Sequence, residues 1–300
     1  MAPNPNSLFG FPSLSDIAPP NGVFTGRQPV FLDNIGAWLP GAPVQNLQNK
    51  YFAVKARTRT AAPPDTQLAV DLTATFPVLC VTIPRHNFTL NAQMTVILWA
   101  DLAMTQEVAI KTVRVDTQAA WGSLQFSDGA WFDGMLPAEL AQYFPQPATV
   151  IFDSPQFCRV VQVQIVDPDN PAHRVELSRL FITPGYQPSR PLKYASQVSV
   201  IDPSIGTETL GGGIYFDQRS KRRTVIASID YLPKGEAYSN VFMMHLRLGV
   251  TGQFFFSMYP ADNTLAGLTS FVATFQKLDS ITALAYGLSG VAFAIQEVIA

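Results

Sequence analysis

The stretch VDPDNPAHRVELSRLFI, residues 166–182, joins a polar corner to an apolar segment. Its polar part, residues 167–176, holds two aspartates, an asparagine, a histidine and a glutamate. Such a cluster could hold a metal ion or carry catalysis, and it could equally be a turn between two strands. The choice decides whether the chain is interpreted as an enzyme.

The spacing of this cluster does not fit a calcium loop of the EF-hand type. That loop needs Gly at its sixth position and a bidentate acid at its twelfth. Counted from Asp167, these positions hold Ala172 and Ser178. Asp, Asn and Pro favour a tight turn, because Asp and Asn bind their own backbone and Pro fixes φ. The stretch therefore predicts a hairpin corner joining residues 160–166 to 175–182, with a Ca²⁺ ion at the turn as an alternative.

Apolar segments rich in Val, Ile, Thr and aromatic residues recur between turn signals from residue 30 to 190. They lie at residues 67–72, 78–83, 93–100, 108–115, 149–152, 158–166 and 174–182. This pattern predicts a β-sandwich, and a short helix is expected at residues 137–143.

A Pro- and Gly-rich segment, residues 184–191, marks a boundary between two domains. Beyond it, residues 236–248 have the apolar periodicity of a helix followed by Gly249. The other C-terminal segments are predicted to be strands. Two of them lie in residues 214–232, on either side of a basic turn. The sequence thus predicts a mainly β chain with an N-terminal arm at residues 1–30, a sandwich at 31–190 and a β-rich domain with one helix at 191–300.

The composition points to a protein partner. Charged residues make up only 14% of the chain, against roughly 25% in typical globular proteins. The net charge of -2 argues against a general nucleic-acid binder, and no run is a convincing membrane span. Cys80 and Cys158 stand in apolar strand-like runs, so buried thiols are expected; a disulfide between them is the alternative.

The first 30 residues are rich in Pro, Asn, Ser and Gly, with isolated apolar side chains such as Leu8, Phe9 and Phe11. Such a segment cannot build its own core. We expect an extended arm whose apolar side chains contact a neighbouring subunit; a floppy terminus is the alternative.

The chain shows no pattern of catalytic residues. It has three histidines, and no HExxH, GxSxG or Walker-type loop occurs. His245 is expected in the core on the apolar stripe of the predicted helix. The glycine run at residues 211–213 predicts a hinge. We therefore expect a protein without catalytic residues, cofactor or metal.

One basic cluster, formed by Arg219, Lys221, Arg222 and Arg223, could contact an acidic partner or a neighbouring subunit. A solvent-exposed hairpin tip is the commoner structure for such a cluster. We therefore expect a hairpin tip, and these four residues are candidate inter-subunit contacts.

Three segments, taken in order, resemble a family of minor tail proteins of tailed bacteriophages that contain a galactose-binding-like jelly roll. They are residues 78–96 with His86-Asn87-Phe88, residues 159–171 with Asp167 and Asn170-Pro171, and residues 177–190 with LSRLFI and PSR. The family pattern for the last segment reads roughly GRLF(I/L)G…QPSRN, so Ser178 and Pro191 depart from it. The C-terminal half also looks like the ring-forming portion of tail-tip proteins.

The resemblance implies a structural virion protein of the distal tail, tail tip or baseplate. Its expected partners are further copies of itself, in a hexameric rather than a trimeric ring, and the tail tube, hub, tape measure and fibres. Its expected location is the phage tail, assembled in the cytoplasm of the bacterial host. No nucleic-acid specificity is implied.

The same jelly roll raises an alternative function, that of a carbohydrate-binding module contacting the host surface. Trp121, Trp131 and Phe132, in AWGSLQFSDGAWFDG, form the candidate aromatic loop. Such rings could stack on sugars, and they could also pack beneath a long loop or at a subunit contact.

Overall fold

The chain divides into two units of structure, described here from a computed structural model. The structure describes residues 6–16, 28–89, 91–114, 146–208, 213–261 and 267–299. The first unit comprises residues 1–187 and 254–271, and the second comprises 188–253 and 272–300. The helix expected at residues 137–143 lies outside the described residues, as do Gly211 and Gly212 of the glycine run. None of the described helices has the length and hydropathy needed to cross a membrane.

The first unit is built from short and long antiparallel strands. Its strands are β1 (Leu8–Gly10), β2 (Val30–Phe31), β3 (Ala56–Arg57), β4 (Gln67–Ile83), β5 (Arg85–His86), β6 (Gln93–Trp99), β7 (Glu107–Arg114), β8 (Ala148–Val166), β9 (Glu176–Ser178), β10 (Phe181–Thr183) and β15 (Phe254–Ser257). The main sheet has the order β10-β4-β8-β6-β7, with β2 beside β4. Strand β4 spans two of the predicted segments, residues 67–72 and 78–83. The strand continues through a bulge after Asp71 instead of ending there.

A second layer faces this sheet across the core. It consists of the three-stranded sheet β3-β9-β5 and a 3₁₀ helix at Val44–Gln48. Alternate side chains of β4, β6 and β8 meet Leu47, Ala56 and Leu177 in one apolar cluster. Two sheets closing over a shared core form a β-sandwich, so the mainly β fold class expected from the sequence is confirmed.

The predicted hairpin corner at residues 166–175 is wrong in its connectivity. Strand β8 pairs with β4 and β6, whereas β9 pairs with β3 and β5 in the other sheet. The chain therefore crosses between layers at this corner. The predicted strand at 174–182 is also broken, because Arg179 has a φ of 43° and sends β10 back to the main sheet.

The N-terminal segment belongs to the first unit itself. Strand β1 pairs with β15, and its Leu8 and Phe9 are buried in their own chain. The Leu14 N–H donates to the Ile182 carbonyl, 2.6 Å away. The expectation that Leu8 and Phe9 contact a neighbouring subunit is wrong, because their own chain already covers these side chains. Phe11, the third residue in that expectation, is partly exposed.

The second unit is an antiparallel sheet with one helix. Its strands are β11 (Gln197–Ile201), β12 (Ile205–Glu208), β13 (Ile214–Asp217), β14 (Arg222–Pro233), β16 (Ser270–Lys277), β17 (Ile281–Ala285) and β18 (Leu288–Glu297). The sheet runs β16-β18-β14-β11, with β17 beside β18; among the described strands, β12 pairs only with β13. The first two residues of β16 belong to the segment 254–271 of the first unit.

The helix predicted at residues 236–248 is confirmed. This helix, α1, consists of an α-helical turn at Lys234–Glu236, a π-helical stretch at Ala237–Phe242 and an α-helical stretch at Met243–Leu248. Its buried side carries Val241, Met244 and His245. The His245 ring meets the Phe275 ring edge to face, with centroids 4.9 Å apart. His245 is thus a core residue, as the sequence predicted.

Candidate interaction surface

The acids of the opening stretch form a closed hydrogen-bond network. The buried Asp167 carboxylate accepts from the Thr89 N–H at 3.0 Å, from the Thr89 hydroxyl and from the Asn170 side-chain amide at 2.9 Å. Asn87 donates to the Arg174 carbonyl at 2.9 Å and accepts from the Glu176 N–H at 2.8 Å. Because protein donors occupy the carboxylate, the network fixes the corner between the two layers, and the Ca²⁺ alternative gains no support from this geometry.

The charged residues that follow form a small ion-pair cluster. Glu176 lies within 3.2 Å of Lys55, Arg57 and Arg174. Burial opposes ionisation of Glu176, but the hydrogen bond and charge of Lys55, together with both arginines, outweigh it and lower the pKa of this carboxyl. The three basic side chains are exposed, and exposed pairs contribute little stability, about 0–1 kcal/mol each.

Arg179 is buried rather than available to a partner. Its guanidinium donates to Asp16 at 2.7 Å and lies over the Phe181 ring, 4.2 Å from the centroid. Burial raises the pKa of Asp16, against the opposing charge of Arg179. The pair ties the N-terminal segment to the chain reversal between β9 and β10.

Burial dominates the environments of His86, Cys80 and Cys158. Burial lowers the pKa of His86 to about 4, and its Nδ1 accepts from the Phe88 N–H at 3.2 Å. Cys80 and Cys158 are buried free thiols, which confirms the expectation, and burial raises the pKa of each to about 12. Over the described ranges, no group of three or more His, Cys, Asp or Glu could hold a metal ion.

The predicted basic hairpin tip does not exist, because β13 and β14 do not pair with each other. Arg219 pairs with Asp217 at 3.0 Å and Lys221 lies 3.8 Å from Asp202. Arg222 begins β14, opposite Ile201. Arg223 is almost buried and donates to Glu297 at 2.7 Å. Acids within the chain therefore offset the positive charge of Arg219, Lys221 and Arg223, which reduces the charge that an acidic partner would need.

The aromatic candidates Trp121, Trp131 and Phe132 lie outside the described residues. In the chain they belong to the segment that connects β7 to β8.

Strands β12 and β13 form an apolar arm, defined here as residues 205–208 and 213–217. The arm continues the β11–β14 pair, since Ile201 pairs with Arg222 and Ile205 pairs with Asp217. No third strand joins it among the described residues. Its large apolar side chains are between 50% and 68% exposed: Ile205, Ile214, Tyr215 and Phe216.

Both faces of the arm carry large apolar side chains, each beside one acid: Glu208 lies opposite Ile214, and Asp217 lies opposite Ile205. Gly206 lies opposite Phe216, and a Cβ at Gly206 would come within 3.1 Å of that ring. Phe216 and Ile214 therefore share one face with Gly206, while Ile205 and Tyr215 share the other. Sequence analysis missed this surface because IYFD has the composition of a buried strand.

Two further exposed apolar features lie in the second unit. Strand β11 has no charged residue and is exposed along its whole length. The outer side of α1 carries Tyr238, Phe242 and Leu246, spaced four residues apart and exposed. Together, the arm, β11 and the outer side of α1 are the candidate interaction surface.

No protein-family model matches this chain, and no curated protein matches it. Among solved structures, it is similar to a fucose-binding module of Streptococcus pneumoniae, at 14% identity over 57% of this chain and 94% of that chain, with a TM-score of 0.35. It is similar to the lectin domain of lectinolysin complexed with Lewis B antigen, at 14% identity over 58% and 96%, with a TM-score of 0.35. It is also similar to the family 32 carbohydrate-binding module of C. perfringens NanJ in complex with galactose, at 12% identity over 52% and 91%, with a TM-score of 0.33. At these identities the likeness concerns the fold alone.

Proposed function

We propose that this chain is a structural subunit that assembles with further copies of itself through its second unit. The observation that carries the proposal is the apolar arm, which exposes large apolar side chains on both faces. A two-stranded hairpin is marginally stable in water on its own. Contiguous exposed apolar surface on a soluble protein typically marks an interaction site.

The type of assembly that fits is a ring at the tip of a phage tail. In this proposal the ring connects the tail tube to the hub or fibres, with a hexamer favoured over a trimer. The tape measure is a further partner, and the virion is the place of action. The support is the order of the three resembling sequence segments, the low charge of 14% and an uncharged, exposed edge strand, β11.

An assembly role agrees with the hydrogen bonds and ion pairs that these polar side chains make within their own chain. Asp167, Asn170 and Asn87 are engaged in holding the corner, and Arg223 is engaged by Glu297. The arm, β11 and the outer side of α1 leave large apolar side chains exposed in the second unit, and burial of apolar surface stabilises association without directional chemistry.

Ile214→Asp with Phe216→Asp should abolish assembly and leave the subunit folded. Each charge would be buried without a partner in the assembled interface, at a cost of several kcal/mol, so association should weaken by at least about 100-fold. Mass by sedimentation velocity over a concentration series measures this. Tyr51→Asp, at an exposed position of the first unit, is the matched control and should assemble normally. A wild-type chain that stays monomeric at every concentration would refute the proposal.

A second candidate function is carbohydrate binding by the first unit. Its support is the aromatic set Trp121, Trp131 and Phe132, gathered in one segment, since aromatic side chains with a few polar groups commonly line ligand sites. The solved structures named above are themselves carbohydrate-binding modules or lectin domains.

Trp131→Ala should abolish any glycan binding if this second function is correct, because the stacking surface for the sugar ring would be lost. A glycan array with the purified chain measures it. Tyr51→Ala, which also removes an exposed aromatic ring, is the control and should bind as the wild type does. Binding that survives Trp131→Ala would exclude this loop as the site.

A further inference from the structure

The outer face of the three-stranded sheet β3-β9-β5 carries a cluster of basic side chains around one acid. Arg57 pairs with Glu176 across β3 and β9, and directly paired residues point to the same face of a sheet. Their neighbours along these strands, Ala56 and Leu177, lie in the apolar cluster of the sandwich. Because successive side chains of a strand alternate between its faces, Arg57 and Glu176 point away from that core.

Three positive charges converge here on one negative charge. The Glu176 Oε1 atom lies 3.1 Å from Arg57 Nε and 3.2 Å from both Nε and Nη2 of Arg174. The other carboxylate oxygen, Oε2, accepts from Lys55 Nζ at 3.1 Å. Among the described residues, no other acid pairs with these three bases. The cluster therefore has an excess of two positive charges.

One carboxylate does not satisfy the donors of this cluster. A guanidinium has five N–H donors and an ammonium has three, whereas both arginines meet the same oxygen of Glu176. The Arg57 Nε–H is buried beside this carboxylate and has no hydrogen-bond acceptor in the part of the chain that the structure describes. All three basic side chains are between 42% and 45% exposed, so further donors are open to an external acceptor.

Hydrogen bonds fix the backbone on both sides of the cluster. On the β3 side, the Thr58 N–H donates to the Val175 carbonyl at 3.0 Å, and the Thr58 hydroxyl accepts from the Val175 N–H at 2.9 Å. On the β5 side, the Asn87 side chain donates to the Arg174 carbonyl and accepts from the Glu176 N–H. The basic groups thus start from a fixed framework, which lowers the entropic cost of binding a ligand.

We propose that this cluster binds a phosphate group through Lys55, Arg57 and Arg174. A phosphate monoester carries a charge of about −1.5 to −2 at pH 7 and three acceptor oxygens, which matches the two excess positive charges. Guanidinium groups bind phosphate oxygens through paired N–H groups, and an ammonium adds a point charge. A carboxylate ligand has a single charge and would leave one positive charge of the cluster without a partner.

Stability alone does not account for three bases around one acid. Exposed ion pairs contribute little to folding, and bases that share one partner also repel one another. A ligand with two negative charges would remove this repulsion. The cluster lies wholly in the first unit, so the phosphate site does not depend on the proposed assembly through the second unit.

Two-dimensional ¹H–¹⁵N NMR of the arginine Nε–H groups tests the site directly. Inorganic phosphate is added to the purified chain at pH 7, with the ionic strength held constant by sodium chloride so that general screening does not change. The Nε–H signals of Arg57 and Arg174, identified by their loss in Arg57→Gln and Arg174→Gln, should shift and saturate. Acetate, which carries a single charge, should bind at least about fivefold more weakly.

Glucose 6-phosphate is titrated in parallel to distinguish a phosphate ester from the free ion. Saturation of the same two arginine signals by the ester identifies an ester-linked phosphate as a ligand. Saturation by inorganic phosphate alone identifies the free ion as the ligand.

Lys55→Gln should weaken phosphate binding about tenfold, because it removes one charge-assisted hydrogen bond to the ligand. Its melting temperature should stay close to that of the wild type, since the pair of Lys55 with Glu176 is exposed on the lysine side. Lys111→Gln is the matched control. Lys111 is 39% exposed and forms a one-to-one pair with Asp153 at 3.1 Å, so its replacement should leave phosphate binding unchanged.

Two results would overturn the phosphate site. Arginine signals that do not saturate with phosphate, or that acetate shifts equally at the same concentration, would show that the cluster does not select this group. An equal loss of binding in Lys111→Gln would show only general attraction by the positive charges of the first unit. Neither result would bear on the proposed assembly, which is measured by sedimentation and uses the second unit.

Discussion

Leu180→Asp should unfold the first unit. Leu180 is fully buried in the apolar cluster between the two sheets. Its backbone is also fixed, because its N–H donates to the Leu47 carbonyl at 3.0 Å and its carbonyl accepts from the Ser15 hydroxyl. The aspartate could not turn to solvent without breaking these bonds. A buried unpaired carboxylate costs several kcal/mol, which is comparable to the whole stability of a domain, about 5–15 kcal/mol.

Thermal unfolding followed by circular dichroism measures this effect. Val160→Asp, at a fully buried position of β8, should behave in the same way. Leu102→Asp is the control, because Leu102 is exposed in the turn between β6 and β7, and its melting temperature should remain close to that of the wild type. Wild-type melting of both core variants would show that the assignment of the core strands is wrong.

Local sequence patterns were sufficient to predict the strands and the helix whose apolar side chains follow the periodicity of one face. The strands predicted at residues 93–100 and 108–115 correspond to β6 and β7, which span Gln93–Trp99 and Glu107–Arg114. Helix α1 was predicted from apolar residues spaced three and four apart, and His245 lies on its buried side. In each case the side-chain periodicity follows directly from the geometry of the element, so no knowledge of distant partners was needed.

Connections that depend on distant partners could not be predicted in this way. Arg179 has the left-handed φ that splits β9 from β10, and no residue type in LSRLF signals that break. Arg223 was expected at a hairpin tip, but it pairs with Glu297, 74 positions away. Composition describes a residue's local preference, whereas these positions are decided by packing against elements far along the chain.

The candidate interaction surface escaped prediction for a related reason. The residues of β13, IYFD, have the composition of a core strand, yet all four are exposed. Conversely, Leu8 and Phe9 stand in a Pro-rich segment that resembles a surface arm, yet both are buried. Apolar composition predicts that a segment needs cover, but only the structure shows whether its own chain provides it.

Phe9→Ala should destabilise the first unit without acting on assembly directly. The Phe9 ring packs against the rings of Phe256, Phe254 and Tyr186, with centroids 5.2, 6.3 and 6.1 Å away. Its backbone pairs with Phe256 in β15 and exchanges hydrogen bonds with Tyr186 at 2.9 and 2.7 Å. Truncating such a ring removes its apolar contacts and leaves a cavity, at a cost of about 3–5 kcal/mol.

Denaturant unfolding of the monomer measures this loss, and sedimentation of the folded variant separates it from an effect on assembly. Phe11→Ala is the matched control, because Phe11 is partly exposed, and it should cost clearly less. If Phe9 instead anchored an arm on a neighbouring subunit, Phe9→Ala would leave monomer unfolding unchanged and would weaken assembly. The two hypotheses therefore predict opposite results in the same pair of measurements. The burial of Phe9 among rings of its own unit favours the loss of monomer stability.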